Sequence, residues 1–302
     1  MLTSIHILLS YKCSLRCRHC YIFAGPQAKG IITMGQVDQI LRESQKINSV
    51  EWIFLSGGEP FMRFPQMLNC IKKIVHLDLK VGIVTNGFFA RTEDCALRFL
   101  RPLLQLGVSD VRISNDSYHY KSAGTTPAQH ALKVSPDLGL PVSQIRVSST
   151  FEEVQTRVEP IETLPSITRP LRYQGRSSET LTQGLPLSSW TTFTRCPLDE
   201  INEPNQVYID PYGNVQICPG INIGNAWETP LAELITAYIA ADHPFYGPIS
   251  QGGPALLSET FGFVHGVGYV DACHLCYTIR QQLRERFPDY LTPRQVYGLE
   301  KS

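Results

Sequence analysis

Ser4-Ile-His-Ile-Leu-Leu-Ser10-Tyr-Lys-Cys13-Ser-Leu-Arg-Cys17-Arg-His-Cys20-Tyr21 is the stretch on which the reading of the chain turns. Residues 4–10 form an apolar run of strand length. A C-x3-C-x2-C triplet follows directly, where that strand would end. A helix face would explain the spacing, because i, i+4 and i+7 share one side of a helix. Ser14, Arg16, Arg18 and His19, however, make a polar setting for three buried structural thiols. A structural zinc wants four ligands, and only three cysteines are local here, with His19 an awkward neighbour for the fourth place. Thiolates also suit iron–sulfur clusters, and three of them on a four-iron cube leave one iron open for chemistry.

Outward from this stretch, short apolar runs alternate with helical periodicity. Trp52–Leu55, Val81–Val84, Val111–Ser114 and Ile145–Ser148 read as strands, and Arg169–Tyr173 as a sixth. Residues 35–47, 64–77, 92–106 and about 126–135 read as helices, the first with Val37, Ile40, Leu41 and Ile47 facing inward. This alternation predicts an α/β fold whose parallel sheet is wound by right-handed crossovers, a partial (β/α)6 TIM-like barrel. Polar or glycine-rich residues close the early strands, and in such a barrel that face carries the chemistry. Residues 180–205 are rich in Ser, Thr, Pro and Asn and read as a linker or long loop. A strand from Val207, a turn at 211–214, a second strand, a helix at about 229–241, a loop at 247–254, a cysteine pair and a last helix at about 277–286 then predict a small cysteine-rich α+β appendage. The division expected is a core over 1–185 and an appendage over 186–302.

Composition narrows the function classes. Among the 302 residues, Lys plus Arg (27) balance Asp plus Glu (27), which argues against bulk attraction to nucleic acid or an anionic membrane. No run approaches the ~18 apolar residues that span a bilayer, and the N-terminus lacks a basic region ahead of its apolar run. Nine clustered cysteines without a secretory signal point to the reducing cytoplasm, where such clusters more often bind metal than form disulfides.

Cys13-Ser-Leu-Arg-Cys17-Arg-His-Cys20-Tyr21 resembles the signature of the radical S-adenosylmethionine (radical SAM) superfamily. Three strand-end motifs strengthen the resemblance. Ser56-Gly57-Gly58-Glu59-Pro60, read alone, is a tight turn that lets backbone approach a ligand. In the superfamily this motif receives the amino group of SAM, which implies a role for Gly57, Gly58 and Glu59. Thr85-Asn86-Gly87 is a common turn signal, and the resemblance sets Asn86 close to the cofactor. Ser114-Asn115-Asp116 is either a cap for the next element or a set of SAM contacts through Ser114 and Asp116. His119 nearby reads as a proton donor or acceptor, or as a surface residue. Ser148 with Ser149, and Tyr173 to Arg176, are positioned to frame the adenine.

Cys196, Cys218, Cys273 and Cys276 form a second set. Four thiolates with one C-x2-C pair fit either a structural zinc or a second iron–sulfur cluster. Gly213-x4-Cys218, with Gly224-Asn225 and the following helix, resembles the start of the SPASM extension of radical SAM enzymes. A full extension carries more cysteines, so the resemblance implies one auxiliary 4Fe–4S cluster of the shorter, twitch-like kind. Cys70 and Cys95 lie in expected helices and read as buried small hydrophobes.

The resemblance implies a 4Fe–4S cluster on Cys13, Cys17 and Cys20 that binds SAM through its open iron. It implies an electron donor such as flavodoxin or ferredoxin, reductive cleavage of SAM, and attack on a substrate by the 5′-deoxyadenosyl radical. A peptide or protein side chain is one substrate class. The first strand begins almost at Met1, with no N-terminal peptide-recognition domain ahead of it, so a separate partner would supply one. A small-molecule metabolite is the other class. A non-catalytic metal- or nucleic-acid-binding module is a third reading, opposed by the neutral charge and the ordered strand-end motifs.

Overall fold

The computed structural model describes residues 1–121, 124–148, 161–197 and 200–300. Strands β1 (Ser4–Leu8), β2 (Trp52–Ser56), β3 (Lys80–Thr85), β4 (Asp110–Ser114), β5 (Val142–Ser148) and β6 (Ser166–Pro170) are parallel neighbours. Helices α1 (Met34–Ser44), α2 (Phe64–His76), α3 (Glu93–Gln105) and α4 (Pro127–Leu138) occupy the first four crossovers. This is the expected α/β architecture. The short α5 (Arg176–Thr180) follows β6. Then come β7 (Gln206–Ile209), β8 (Asn214–Gln216), β9 (Asn222–Asn225), α6 (Leu231–Ala237), α7 (Tyr246–Phe261) and α8 (Ala272–Leu283).

The helices start where local chemistry satisfies their free N–H groups. Thr33 and Gln36 cap α1 reciprocally, Gln36 N–H donating to the Thr33 hydroxyl at 3.3 Å and Thr33 N–H to Gln36 Oε1 at 2.8 Å. Thr126 and Gln129 repeat the device at α4. The strands sort their side chains with a period of two. Ile5, Ile7, Ile53, Leu55, Val81, Ile83, Val111 and Ile113 are fully buried. They join one core with Val37 and Ile40 of α1, Met67 and Ile71 of α2, Leu100 and Leu103 of α3, and Ala131 and Leu132 of α4. Alternate residues His6, Leu8, Ser56, Val84, Arg112 and Ser114 line the opposite, concave face.

All the strands belong to one sheet, ordered β6-β5-β4-β3-β2-β1-β7-β8-β9. β7 pairs in parallel with β1, from Ser4 opposite Gln206 to Ile7 opposite Ile209. The late hairpin therefore continues the barrel sheet. Four expectations change. The sixth strand is Ser166–Pro170, and Tyr173 to Arg176 instead lead into α5. The expected loop at 247–254 lies inside α7, which bends through non-helical Gly252 and Gly253. The last helix starts at Ala272, capped by the Asp271 carboxylate on His274 N–H, so Cys273 and Cys276 sit in its first turns. Cys70 is buried as expected, but Cys95, near the start of α3, is only partly so. Ser149 lies outside the described residues.

Candidate functional site

Past the end of β1 the backbone keeps pairing on both sides. Gly58 N–H donates to Ser10 O at 2.7 Å and Glu59 N–H to Lys12 O at 2.9 Å. On the other flank, Tyr11 N–H donates to Gly30 O at 3.2 Å and Cys13 N–H to Gly25 O at 3.0 Å. The two glycines permit this approach. Gly57 has φ +127°, and a Cβ on Gly58 would be driven into the Lys12 carbonyl and lie 2.6 Å from Tyr11 O. The Gly-Gly turn is thus the cradle that fixes the start of the cysteine loop.

Glu59 extends the cradle to the next strand. Its carboxylate, almost fully buried, accepts from Phe61 N–H at 3.0 Å, from the Thr85 hydroxyl at 2.8 Å and from Asn86 N–H at 2.9 Å. Burial pushes this carboxyl up to about 7 against those hydrogen bonds. Glu59 does not itself line the central cavity, whereas Gly57 and Gly58 do. Asn86, held in this way, donates from Nδ2 to Cys13 Sγ at 3.6 Å and to Ser14 Oγ at 3.2 Å.

At the end of β4, Ser114 faces the cavity but Asp116 does not. Asp116 Oδ1 accepts from Tyr118 N–H at 3.0 Å and from His119 N–H at 3.1 Å, and it meets His119 Nδ1 at 2.9 Å. Its Oδ2 accepts from Val147 N–H at 3.2 Å on β5. These are turn and strand contacts, the capping alternative for this residue. Burial would raise the Asp116 carboxyl, but His119 and the other donors outweigh it and hold it near 2. An ionised carboxylate can only accept, so His119 Nδ1 is the donor. His119 lines the cavity and meets His19 edge-on at 4.5 Å between ring centroids.

Cys13, Cys17 and Cys20 all line one cavity of about 330 Å³. Burial pushes the Cys13 thiol up to about 12, with Glu59 and Cys20 adding to it against hydrogen bonds from Leu15 N–H and Asn86. Cys17 is raised by burial and then by Cys20 and Cys13. The three sulfurs therefore sit within one another's electrostatic reach. Arg176, expected from the sequence only as the end of the stretch that frames the adenine, pins their loop: it is buried and donates from Nη1 to Cys17 O at 2.7 Å and from Nη2 to Ala24 O at 2.9 Å. Its own N–H reaches Cys20 O at 2.9 Å. Tyr11 OH, donating to the buried Asp210 carboxylate at 3.0 Å, ties the same loop to the β7–β8 turn.

The late cysteines also converge. Burial raises the Cys273 thiol, Asp271 adds to it, Arg172 opposes it, and Cys218 and Cys196 add further. Cys276 and Cys218 both act on Arg280. Among the described residues no group of three or more Cys, His, Asp or Glu is gathered tightly enough to hold a single metal ion. Thiolates on one zinc, bonded at about 2.3 Å, would lie within about 4 Å of each other. No described helix is long and apolar enough to cross a membrane.

Residues 7–140 match the sequence profile of the Radical SAM superfamily. This segment contains the cysteine triplet, the Gly57-Gly58-Glu59 turn, Asn86 and Ser114. The chain is similar to the antilisterial bacteriocin subtilosin biosynthesis protein AlbA of Bacillus subtilis (strain 168), at 25% identity over 152 residues, 48% of this chain. The match spans only 32% of that relative, about a third of its length. Among solved structures, BtrN in complex with AdoMet and 2-DOIA aligns with a TM-score of 0.52 at 14% identity, over 83% of this chain and 88% of BtrN. Native anSMEcpe with bound AdoMet aligns with a TM-score of 0.50 at 14% identity, over 98% of this chain and 99% of that one. At such identities the likeness is one of fold.

Proposed function

We propose that the protein is a radical SAM enzyme whose core, 1–185, holds a 4Fe–4S cluster and SAM and whose extension, 186–302, holds an auxiliary cluster of the SPASM or twitch kind. The observation that carries this reading is the meeting of Cys13, Cys17, Cys20, Gly57, Gly58, Asn86 and Ser114 on the wall of one cavity, from the ends of four consecutive parallel strands. The donor set fits the group: three mutually interacting thiols leave one position of a four-iron cube for SAM. With an electron from a donor such as flavodoxin or ferredoxin, the bound cofactors supply the 5′-deoxyadenosyl radical. The chain's own share is to hold and shield. Asn86 and the Leu15 N–H donate to a ligating sulfur, Arg176 fixes the loop, Gly57 and Gly58 receive the amino group of SAM, and Ser114 contacts the cofactor. Asp116 acts through His119 by orienting its ring.

The substrate reading covers a peptide side chain or a free metabolite, and the cavity favours the metabolite. His6, Arg112, Gln206 and Tyr208 make part of its lining polar. Burial, aided by Arg112 and Arg169, pushes the His6 imidazole down to about 3, so it faces a substrate as a neutral group. The four-thiolate set and the SPASM-like Gly213-x4-Cys218 step support a cluster over zinc at the second set.

The test is anaerobic reconstitution with iron and sulfide, followed by assay of 5′-deoxyadenosine under a strong reductant. Cys17→Ala abolishes the cleavage, whereas Cys273→Ala retains part of it. A colourless protein holding only zinc, or equal and complete loss in both folded variants, refutes the assignment. Acceleration of SAM cleavage by the dialysable fraction of a cell extract supports the metabolite, and acceleration by the retained fraction supports the peptide.

A further inference from the structure

Among the described residues, Arg280 is a buried cation with no carboxylate in ion-pair contact. It lies on α8 one turn after Cys276 and is 1% exposed. Its Nη1 donates to Pro219 O at 3.1 Å and its Nη2 to Gln174 Oε1 at 3.2 Å, both neutral oxygens. Among the described residues its Nε has no hydrogen-bond partner. A guanidinium does not give up its proton inside a protein, and an uncompensated buried charge is strongly unfavourable. Negative charge must therefore reach it from elsewhere.

Gln174 shows the complementary gap. It is 2% exposed, and its Oε1 accepts both from Arg280 and from the Cys218 thiol at 3.7 Å. Because Arg280 can only donate, that end of the amide must be the oxygen. Among the described residues the other end, Nε2, is a buried donor with no partner. A native fold rarely leaves such a donor orphaned unless a ligand completes it.

We infer that Arg280 is a positioning residue for an anionic four-thiolate centre on Cys196, Cys218, Cys273 and Cys276, its buried counter-charge held in place by Gln174 Oε1, and that it raises the centre's reduction potential. The inference rests on the auxiliary-cluster reading above and deepens it. Reduction adds negative charge to such a centre, so a fixed cation stabilises the reduced form more than the oxidised one. The same segment serves both cysteine sets, since Arg176, two residues after Gln174, holds the Cys17 carbonyl.

The experiment isolates the second set in a Cys13→Ala, Cys17→Ala, Cys20→Ala background. The protein is reconstituted anaerobically, iron per chain is measured, and the cluster is titrated with reductant under electron paramagnetic resonance. Arg280→Met makes reduction about tenfold less favourable, about 59 mV for a one-electron couple. Arg280→Lys keeps most of the original potential. Gln174→Leu shifts it the same way by less and, being close in size, carries the test if Arg280→Met does not fold. Normal iron with an unmoved potential in the folded variants overturns the inference while leaving the cluster reading intact. Zinc alone, or no iron, in the background protein overturns the auxiliary-cluster reading and this inference with it.

Discussion

Gly58→Ala is the sharpest perturbation of the cysteine cradle. The added methyl has no space, because it meets the Lys12 carbonyl and lies 2.6 Å from Tyr11 O, and both are backbone. Two responses are open. If the turn holds, the overpacking costs about 1–3 kcal/mol. If the segments part, Gly58 N–H to Ser10 O at 2.7 Å and Glu59 N–H to Lys12 O at 2.9 Å are lost. At about 0.5–1.5 kcal/mol per hydrogen bond, that is again about 1–3 kcal/mol. Either route predicts a fall in stability of that size, read as a lower midpoint in urea with unchanged slope. Gly25→Ala is the control: that glycine also flanks the loop, but a Cβ there meets nothing within 4 Å, so its midpoint stays within about 0.5 kcal/mol of the parent. The altered turn sits beside Lys12, so Gly58→Ala also loses iron from the first cysteine set on reconstitution. Equal midpoints for Gly58→Ala and Gly25→Ala would refute the close-approach argument.

Tyr246→Phe removes the hydroxyl that accepts from Cys218 N–H at 2.8 Å and donates to Ile221 O at 3.1 Å, and costs about 1–3 kcal/mol by urea denaturation. Arg176→Met strips the Cys17 and Ala24 carbonyls of their buried donors, so iron retention falls at the first cysteine set while the second keeps its iron. Glu59 introduces a pH dependence. Its folded value of about 7 lies above the ordinary 4.5, so its contribution to stability is full below about 4.5 and is lost as pH rises through 7. The stability of the metal-free protein relative to Glu59→Gln therefore declines across that window, and parallel curves would count against a buried, upward-shifted carboxyl.

The strands and their functional ends were legible because both rest on local chemistry. Apolar runs such as Trp52–Leu55 must be buried on both faces, and Gly57-Gly58 must be a close approach. The bend in α7 was not legible. Gly252, Gly253 and Pro254 are loop signals in isolation, yet tertiary packing overrides them: a Cβ on Gly253, at φ +66°, would lie 2.6 Å from Phe193 O, so only glycine lets the helix press against the backbone just before Cys196. Asp116 illustrates a different limit. Its place at a strand end fits a ligand contact and a turn cap equally, and only the positions of Tyr118, His119 and Val147 decide between them. Arg176, Gln174 and Arg280 carry no spacing signal, because each reaches its target through the folded chain.

The parallel seam between β1 and β7 has a consequence for biogenesis. The seam joins Ser4–Ile7 to Gln206–Ile209, partners some two hundred positions apart. A ribosome makes β1 early and β7 late, so throughout most of translation one flank of the central strand is a naked template for stray strands. A nascent polypeptide arrested before Gln206 carries the complete cysteine triplet but cannot close that flank. Such fragments are candidates for chaperone capture or precipitation until the hairpin has cleared the exit tunnel.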